Sequence, residues 1–339
     1  MKKLLIIDGN SIVNRAFYGI RPLSVRGENG EEIHTNAVYG FLSILLRYLA
    51  ESLPNYVCVA FDVHAPTFRH EMFADYKANR KPSPPEIRPQ FPLVKEVLAA
   101  MRIKTLELAG FEADDIIGTV ARRCEESGVA CEILTGDKDD LQLASDLVTV
   151  KLVITRGGKT ETTVFNGTKV LEDFGVTPSE FVDVKALMGD SSDNIPGVAG
   201  IGEKTAFSLI SQYKSVEYIF ENLDKLSVTA GVLAKLQAGR ESAELSKTLA
   251  MIDVNVPIEL EFEDAEFWPE FAESYELAEL LVRLNFKGFL QKLGMEQLPL
   301  SAEPTNGTIL SREERDSSFP KEPLKPLQAT EDNGQISFF

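Results

Sequence analysis

A chain of 339 residues with 44% hydrophobic and 26% charged residues has the composition of an ordinary globular protein, with room for two folding units plus extras. No run approaches the ~20 apolar residues of a membrane span. Met1-Lys2-Lys3 precedes only Leu4 to Ile7, too short for a signal-peptide apolar region, so the expectation is a cytoplasmic protein with no membrane partner. The formal net charge of −17 argues against nucleic acid when read globally, but bound metal inverts the local sign where acids cluster, so local charge is the better guide.

Lys3 to Ile7 reads as a buried parallel strand ending at Asp8-Gly9-Asn10-Ser11, a sequence that can turn and cap a following helix. Val38 to Leu53 has helical periodicity, and Tyr56 to Phe61 is a second apolar strand ending at Asp62. Residues 66 to 92 change character: six prolines and five bases (Arg69, Lys77, Arg80, Lys81, Arg88) stand against three acids. Leu93 to Met101 is helical again. Lys104 to Leu108 is a third strand, Ala113 to Ser127 a helix opened by Glu112, Cys131 to Leu134 a fourth strand ending at Asp137, and Val148 to Ile154 a fifth. The three cysteines, Cys58, Cys124 and Cys131, are odd in number and scattered, which suits small core residues better than a disulfide or zinc set.

Strands alternating with helices imply an α/β unit with a mostly parallel sheet flanked by helices on both faces. Ligands of such sheets bind outside the carboxyl ends of the strands, which is where Asp8, Asp62 and Asp137 fall. From about residue 175 the strands stop: Phe181 to Met188 is helical, Gly200-Ile201-Gly202-Glu203-Lys204-Thr205 opens another helix, and a last helical pair fits 272 to 294. The expected division is an α/β core over 1–172 with a basic arch at about 66–92, an all-α domain over 173–295, a disordered tail over 296–334, and a separate terminal peptide over 335–339.

Acids at the ends of apolar runs are ordinarily solvated or helix-capping. Here they recur: Asp8, Asp62, Glu112, Asp114, Asp115, Asp137, Asp139, Asp190 and Asp193. A hard divalent cation wants oxygen ligands, and two such ions clamping a phosphoryl displacement need more acids than one. Glu112-Ala113-Asp114-Asp115 puts three acids in one helical first turn, with Glu112 and Asp115 on one face. Such crowding is relieved partly by the helix dipole and far better by a metal. The three histidines show no metal spacing.

Asp8-Gly9-Asn10-Ser11, Phe61-Asp62, Thr67-Phe68-Arg69, Tyr76-Lys77-Ala78-Asn79-Arg80, Glu112-Ala113-Asp114-Asp115, Thr135-Gly136-Asp137-Lys138-Asp139 and Leu187 to Gly197 resemble the 5′ nuclease (flap endonuclease) family, in the branch formed by the N-terminal 5′→3′ exonuclease domain of bacterial DNA polymerase I. The resemblance spans about residues 3 to 290. It implies a PIN-like nuclease core and a helix–hairpin–helix domain. It also implies a two-metal, Mg²⁺-dependent phosphodiesterase, with Mn²⁺ as a substitute, acting on nicked, gapped or 5′-flap duplex DNA, RNA-primed substrates included, in Okazaki-fragment processing and repair.

Residue by residue, the resemblance places Asp8, Asp62, Glu112 and Asp114 at a first metal and Asp137, Asp139 and Asp190 at a second. Asp115 and Asp193 match further acids that act through metal-bound water. Asp140 departs from the pattern: the family usually carries an apolar residue there, and no role is assigned to it. Lys77 and Arg80 match arch cations that neutralise the scissile phosphate, Tyr76 an aromatic that stacks on or orients the strand, and Arg69 and Arg15 further phosphate contacts. Phe17 and Tyr18 fit a gateway or the core equally. Gly200, Gly202, Lys204 and Thr205 match a hairpin whose backbone and helix N-terminus meet duplex phosphate, with K⁺ coordinated through carbonyls.

The final Gln335-Ile336-Ser337-Phe338-Phe339 resembles the short peptide by which replication enzymes dock on the sliding clamp, with Gln335, Ile336, Phe338 and Phe339 as the contacts. A monomeric, stand-alone nuclease is the expectation, with an excised N-terminal domain of a polymerase as the alternative. Two other classes compete. A DNA-structure-binding module with a degenerate acid site conflicts with the complete acid set. A metal-dependent phosphatase would need neither a basic arch nor a hairpin.

Overall fold

The computed structural model describes residues 1–27, 29–156 and 159–297. β1 (Lys3–Asp8) is followed by α1 (Gly9–Gly19), a short hairpin of β2 (Ser24–Arg26) and β3 (Glu32–His34), α2 (Asn36–Ser52) and β4 (Tyr56–Ala60). Next come α3 (Phe68–Met72), α4 (Gln90–Ala100), β5 (Lys104–Leu106), α5 (Ala113–Glu126), β6 (Ala130–Thr135), β7 (Val148–Arg156) and β8 (Lys159–Phe165). The described residues beyond β8 carry the helices α6 (Gly167–Phe174), α7 (Pro178–Met188), α8 (Glu203–Tyr213), α9 (Val216–Glu221), α10 (Ala230–Ala238), α11 (Arg240–Ala250), α12 (Tyr275–Arg283) and α13 (Lys287–Lys292). None of the described helices is long and apolar enough to cross a membrane.

Six strands form one sheet in the order β5-β4-β1-β6-β7-β8, parallel except for the last pair. β8 is an element the sequence pattern did not suggest. Its run Lys-Thr-Glu-Thr-Thr-Val-Phe is polar because it closes the edge of the sheet, antiparallel to β7. The central strands are apolar throughout because both faces are covered. Leu4, Ile6, Cys58, Ala60, Cys131 and Ile133 face Ile116, Ile117 and Val120 of α5. Leu5, Ile7, Val57, Val59 and Leu134 face α1, α2 and α4. The three cysteines are buried and unbridged.

The chain runs outward from β1 through β4 to β5, then returns to place β6 on the other side of β1. The order reverses beside β1, and a crevice therefore opens at the carboxyl ends of β1 and β6. The register aligns Ile7 with Leu134 and Asp8 with Ala60, so Asp8, Asp62 and the 135–140 turn share one edge.

Two expectations differ from the structure. Residues 271–295 do not stay with the helical part: Phe271, Leu277, Leu281, Phe286 and Phe289 bury against α2, α4 and the odd-numbered sheet face. Their apolar stripe finds a larger uncovered surface there than among the short helices. The basic segment at 66–92, expected to resemble the family's helical arch, holds the five-residue α3, then a series of turns, then the start of α4. Pro82, Pro84 and Pro85 withdraw backbone donors and keep a helix from running through 82–86, while Pro89 and Pro92 fall at the start of α4.

Candidate metal centre and DNA-facing residues

Asp8 caps α1: its Oδ1 accepts from Ser11 N at 2.9 Å, and its Oδ2 accepts from Thr135 Oγ1 at 3.0 Å. Burial raises its pKa to about 7, assisted by the charges of Asp62 and Asp137 and opposed by the Ser11 and Thr135 donors. Asp62, exposed at the end of β4, accepts from Ala113 N at 2.8 Å, which ties it to the start of α5. Asp114 projects from that first turn. Carboxylate oxygens of Asp8, Asp114 and Asp140 lie within 4.8 Å of one another. Burial, with the neighbouring carboxylates adding repulsion, holds Asp114 and Asp140 well above the usual carboxylate range.

Glu112 accepts Lys77 Nζ at 2.6 Å and Tyr76 Oη at 3.0 Å. Burial alone would lower the Lys77 pKa; the Glu112 carboxylate raises it instead. Lys77 adopts a left-handed backbone, φ 57°, a conformation that an L side chain rarely holds without constraint. Arg80, exposed, pairs with Asp193, whose backbone carbonyl also takes Lys77 N at 2.9 Å. The turn at 76–80 is thus pinned across Glu112 and the 190–195 loop.

Three assignments are corrected. Asp115, expected near a metal, is fully buried and saturated by four donors: Arg69 Nη1 and Nη2, Glu112 N and Asp253 N, at 2.7, 2.8, 3.0 and 2.9 Å. It is the capping-box partner of Glu112 and turns away from the other acids into the protein. Arg69, expected on phosphate, is 3% exposed and spends its remaining donors on the Leu249 and Met251 carbonyls. Tyr76, expected to stack on a base, is 3% exposed with its hydroxyl turned to Glu112 and Asp193. In each case a buried charge or hydroxyl satisfied inside the protein outweighs a surface role.

A second group lies alongside. Asp137, exposed, takes Asp139 N at 3.0 Å, and its own N–H goes to Thr135 Oγ1. Asp139 Oδ1 sits 2.6 Å from Lys185 Nζ, and the same ammonium pairs with Asp190. Burial and the Asp137 charge lift Asp139 to about 6 despite Lys185. Burial would lift Asp190 too, but Lys185 and two Ser192 donors at 2.7 Å bring it down to about 2. The Asp190 loop is a pinch between two glycines. A Cβ on Gly197, φ 62°, would lie 2.3 Å from Gly189 N, so only glycine closes it.

Arg15 donates to the Gly136 carbonyl at 3.3 Å, beside Asp8 and Asp137. A Cβ at Gly136 would meet Arg15 Nη2 at 2.4 Å and Ser11 Oγ at 2.7 Å, so a larger residue would displace the Arg15 side chain from this carbonyl. About the hairpin, Gly200 has φ 80°, Gly202 caps α8, Lys204 is exposed and Thr205 half-buried; Lys235 Nζ donates to Gly200 O at 3.0 Å. Phe17 packs on the core while Tyr18 is 69% exposed. Gln335, Ile336, Phe338 and Phe339 lie outside the described residues, as does all but the start of the 296–334 segment.

Two residues escaped the sequence reading. Lys185 is the one base in the mostly apolar Phe181 to Met188 stretch, which also holds Asp183, and its burial is the signal that it pairs with acids. Asp140, to which the sequence reading assigns no role, is fully buried and lies beside Asp8 and Asp114.

Comparison with known proteins agrees with this geometry. Residues 3–175 match the model for the 5′-3′ exonuclease, N-terminal resolvase-like domain, and residues 176–273 that for the 5′-3′ exonuclease, C-terminal SAM fold. DNA polymerase I of Bacillus caldotenax is 45% identical over 292 residues, covering 86% of this chain and 32% of the polymerase. DNA polymerase I of Bacillus subtilis is 43% identical over 293 residues, with 86% and 32% covered. The chain thus spans about a third of the length of these relatives. Among solved structures, zinc-bound T5 5′-exonuclease superposes with TM-score 0.60 at 20% identity, over 86% of this chain and 99% of that one. The catalytic core of Rad2 in complex with DNA substrate superposes with TM-score 0.55 at 13% identity, over 86% and 92%. A carboxylate crevice at the switch point of a parallel sheet, with two family models tiling residues 3–273, establishes that the chain belongs to the 5′-3′ exonuclease family.

Proposed function

We propose that this chain is a structure-specific 5′→3′ exonuclease and 5′-flap endonuclease that hydrolyses DNA phosphodiesters with divalent metal. Its roles would be primer removal during Okazaki-fragment processing and excision repair. The observation that carries the reading is the Asp8–Asp114–Asp140 cluster: three carboxylates, mostly buried, with oxygens within 4.8 Å of one another. Such a set is unstable as bare anions and is suited to a hard cation. The donors are all oxygen, which fits Mg²⁺, with Mn²⁺ as substitute, better than a soft metal.

Asp8, Asp62, Glu112 and Asp114 would hold one ion, and Asp137, Asp139 and Asp190 the other, with Asp193 supporting through its contacts to Lys77 and Arg80. When bound, two such ions supply water activation and charge neutralisation for in-line displacement. The chain's own residues do the rest. Lys77 and Arg80 at the 76–80 turn face the same acids and can meet the scissile phosphate in place of Glu112 and Asp193. Lys185 pairs with both Asp139 and Asp190 and holds the two carboxylates side by side.

Duplex binding is assigned to Arg15, Gly200, Gly202, Lys204 and Thr205, through backbone and phosphate contacts that fall off steeply with salt. K⁺ at the hairpin would share its carbonyls with Lys235, which already donates to Gly200. Gln335, Ile336, Phe338 and Phe339 would dock on a sliding clamp, and the protein would act as a monomer in the cytoplasm.

The test is cleavage of a labelled 5′-flap duplex, with nicked, gapped and RNA-primed duplexes beside it, with and without Mg²⁺. Metal-dependent release of 5′ fragments is expected. Duplex binding without any cleavage would replace the enzyme by a DNA-structure-binding module.

A further inference from the structure

We infer that Asp140 is an additional carboxylate ligand, acting with Asp8 and Asp114 on one divalent cation. The inference rests on the metal-centre reading given above.

Asp140 is the second residue of the short 3₁₀ turn Asp139–Leu143, next to Leu141, and both side chains are fully buried. Leu141 joins the hydrophobic core, as a residue at this depth should. Asp140 does not. Its carboxylate shares a pocket with the oxygens of Asp8 and Asp114.

Among the described residues, neither Asp140 oxygen takes a hydrogen bond. The Thr135 hydroxyl is within reach of both Asp8 and Asp140, but its single proton cannot serve both carboxylates, and it lies 3.0 Å from Asp8 Oδ2. Lys185, the ammonium beside this turn, pairs with Asp139 and Asp190. Other buried acids are provided for. Asp115 has four donors, Asp183 has Lys247 Nζ and Val216 N, and Glu112 has Lys77 and Tyr76.

A buried carboxylate without a donor is strongly unfavourable, and two more carboxylates beside it make matters worse. A cation among the three supplies the interaction that Asp140 lacks and offsets the mutual repulsion of all three carboxylates. A solvated role is excluded by burial, and helix capping by the absence of any N–H on either oxygen. The added charge and third inner oxygen should tighten the ion held at Asp8 and Asp114.

The experiment titrates Mn²⁺ into the full chain stripped with EDTA, reading free Mn²⁺ by electron paramagnetic resonance, for the parent, Asp140→Asn, Asp140→Leu and Asp8→Asn. Melting temperature is recorded with and without Mn²⁺. Both Asp140 variants should weaken the tighter site by about tenfold or more, on the scale seen when a metal's ligand environment is damaged. They should also melt no lower than the parent in EDTA, and gain less on adding Mn²⁺. Parent-like Mn²⁺ binding in Asp140→Asn, with binding lost in Asp8→Asn, would overturn the inference and leave the metal centre intact. Parent-like binding in Asp8→Asn as well would remove the metal-centre reading itself. An Asp140→Asn protein that melts several degrees lower in EDTA would make Asp140 a structural acid and equally overturn the inference.

Discussion

Arg69 on α3 and Asp115 on α5 form a buried two-pronged ion pair, Nη1 to Oδ2 at 2.7 Å and Nη2 to Oδ1 at 2.8 Å. The same guanidinium holds the carbonyls of Leu249 and Met251 at the end of α11. One side chain therefore clips the basic segment, the acid-bearing helix and the helical part together. Arg69→Ala leaves Asp115 a buried, uncompensated charge and should destabilise the protein by about 3–5 kcal/mol. Denaturant unfolding of the metal-free chain measures it. An unchanged midpoint with weakened DNA binding would return Arg69 to the phosphate-contact role.

The acids set a pH dependence whose sign follows from the direction in which burial moves them. Asp8 at about 7 and Asp139 at about 6 bind a proton more tightly in the folded chain than at the ordinary 3.8. Their protonation stabilises the fold fully below that ordinary value, and the contribution is lost as pH rises through 6 to 7, at about 1.4 kcal/mol for each tenfold difference in proton affinity. Asp190, held at about 2, works the other way and loses its contribution only as pH falls through that value. In EDTA the melting temperature should therefore be higher near pH ~5 than near pH ~7.5, and saturating Mg²⁺ should flatten or reverse the slope. A higher melting temperature at the upper pH in EDTA would contradict these assignments.

Asp137→Asn and Asp190→Asn should abolish flap cleavage while duplex binding in Ca²⁺ persists. Single-turnover cleavage and a binding isotherm on the same substrate decide it. Retained turnover would take these carboxylates out of the metal centre.

Lys77 is held to Glu112 from a left-handed backbone, an arrangement that fixes its ammonium at the acids. Lys77→Ala should slow single-turnover cleavage by at least about a hundredfold, on the scale of losing one electrostatic stabiliser, with a far smaller loss of affinity. Equal losses in both would make it a tether.

Removing residues 335–339 should abolish capture by a sliding clamp and leave basal flap cleavage unchanged. Unaltered clamp capture would cancel the docking assignment.

The strand cores, the acids at their ends and the helical character beyond residue 175 were legible in the sequence, because a strand covered on both faces must be apolar along its whole length and ends where polar ligands begin. The capping turn at Asp8 was legible for the same local reason: an aspartate, a glycine and a serine satisfy the first turn of a helix from within four residues. What local pattern could not decide was which acid each cation would meet. Glu112, Asp114 and Asp115 are near neighbours in sequence. Only the arrival of Arg69 from 46 residues away and of Asp253 N from 138 residues away sends Asp115 into the protein, while Asp114 joins Asp8. The fate of Asp140 depended likewise on packing: the fold buries it with no donor and aims it at two other carboxylates. Composition and spacing determined that this chain gathers carboxylates at one sheet edge. Tertiary structure decided which are neutralised by the protein's own cations and which are left for a metal, because charge compensation depends on distance in space and not on order along the chain.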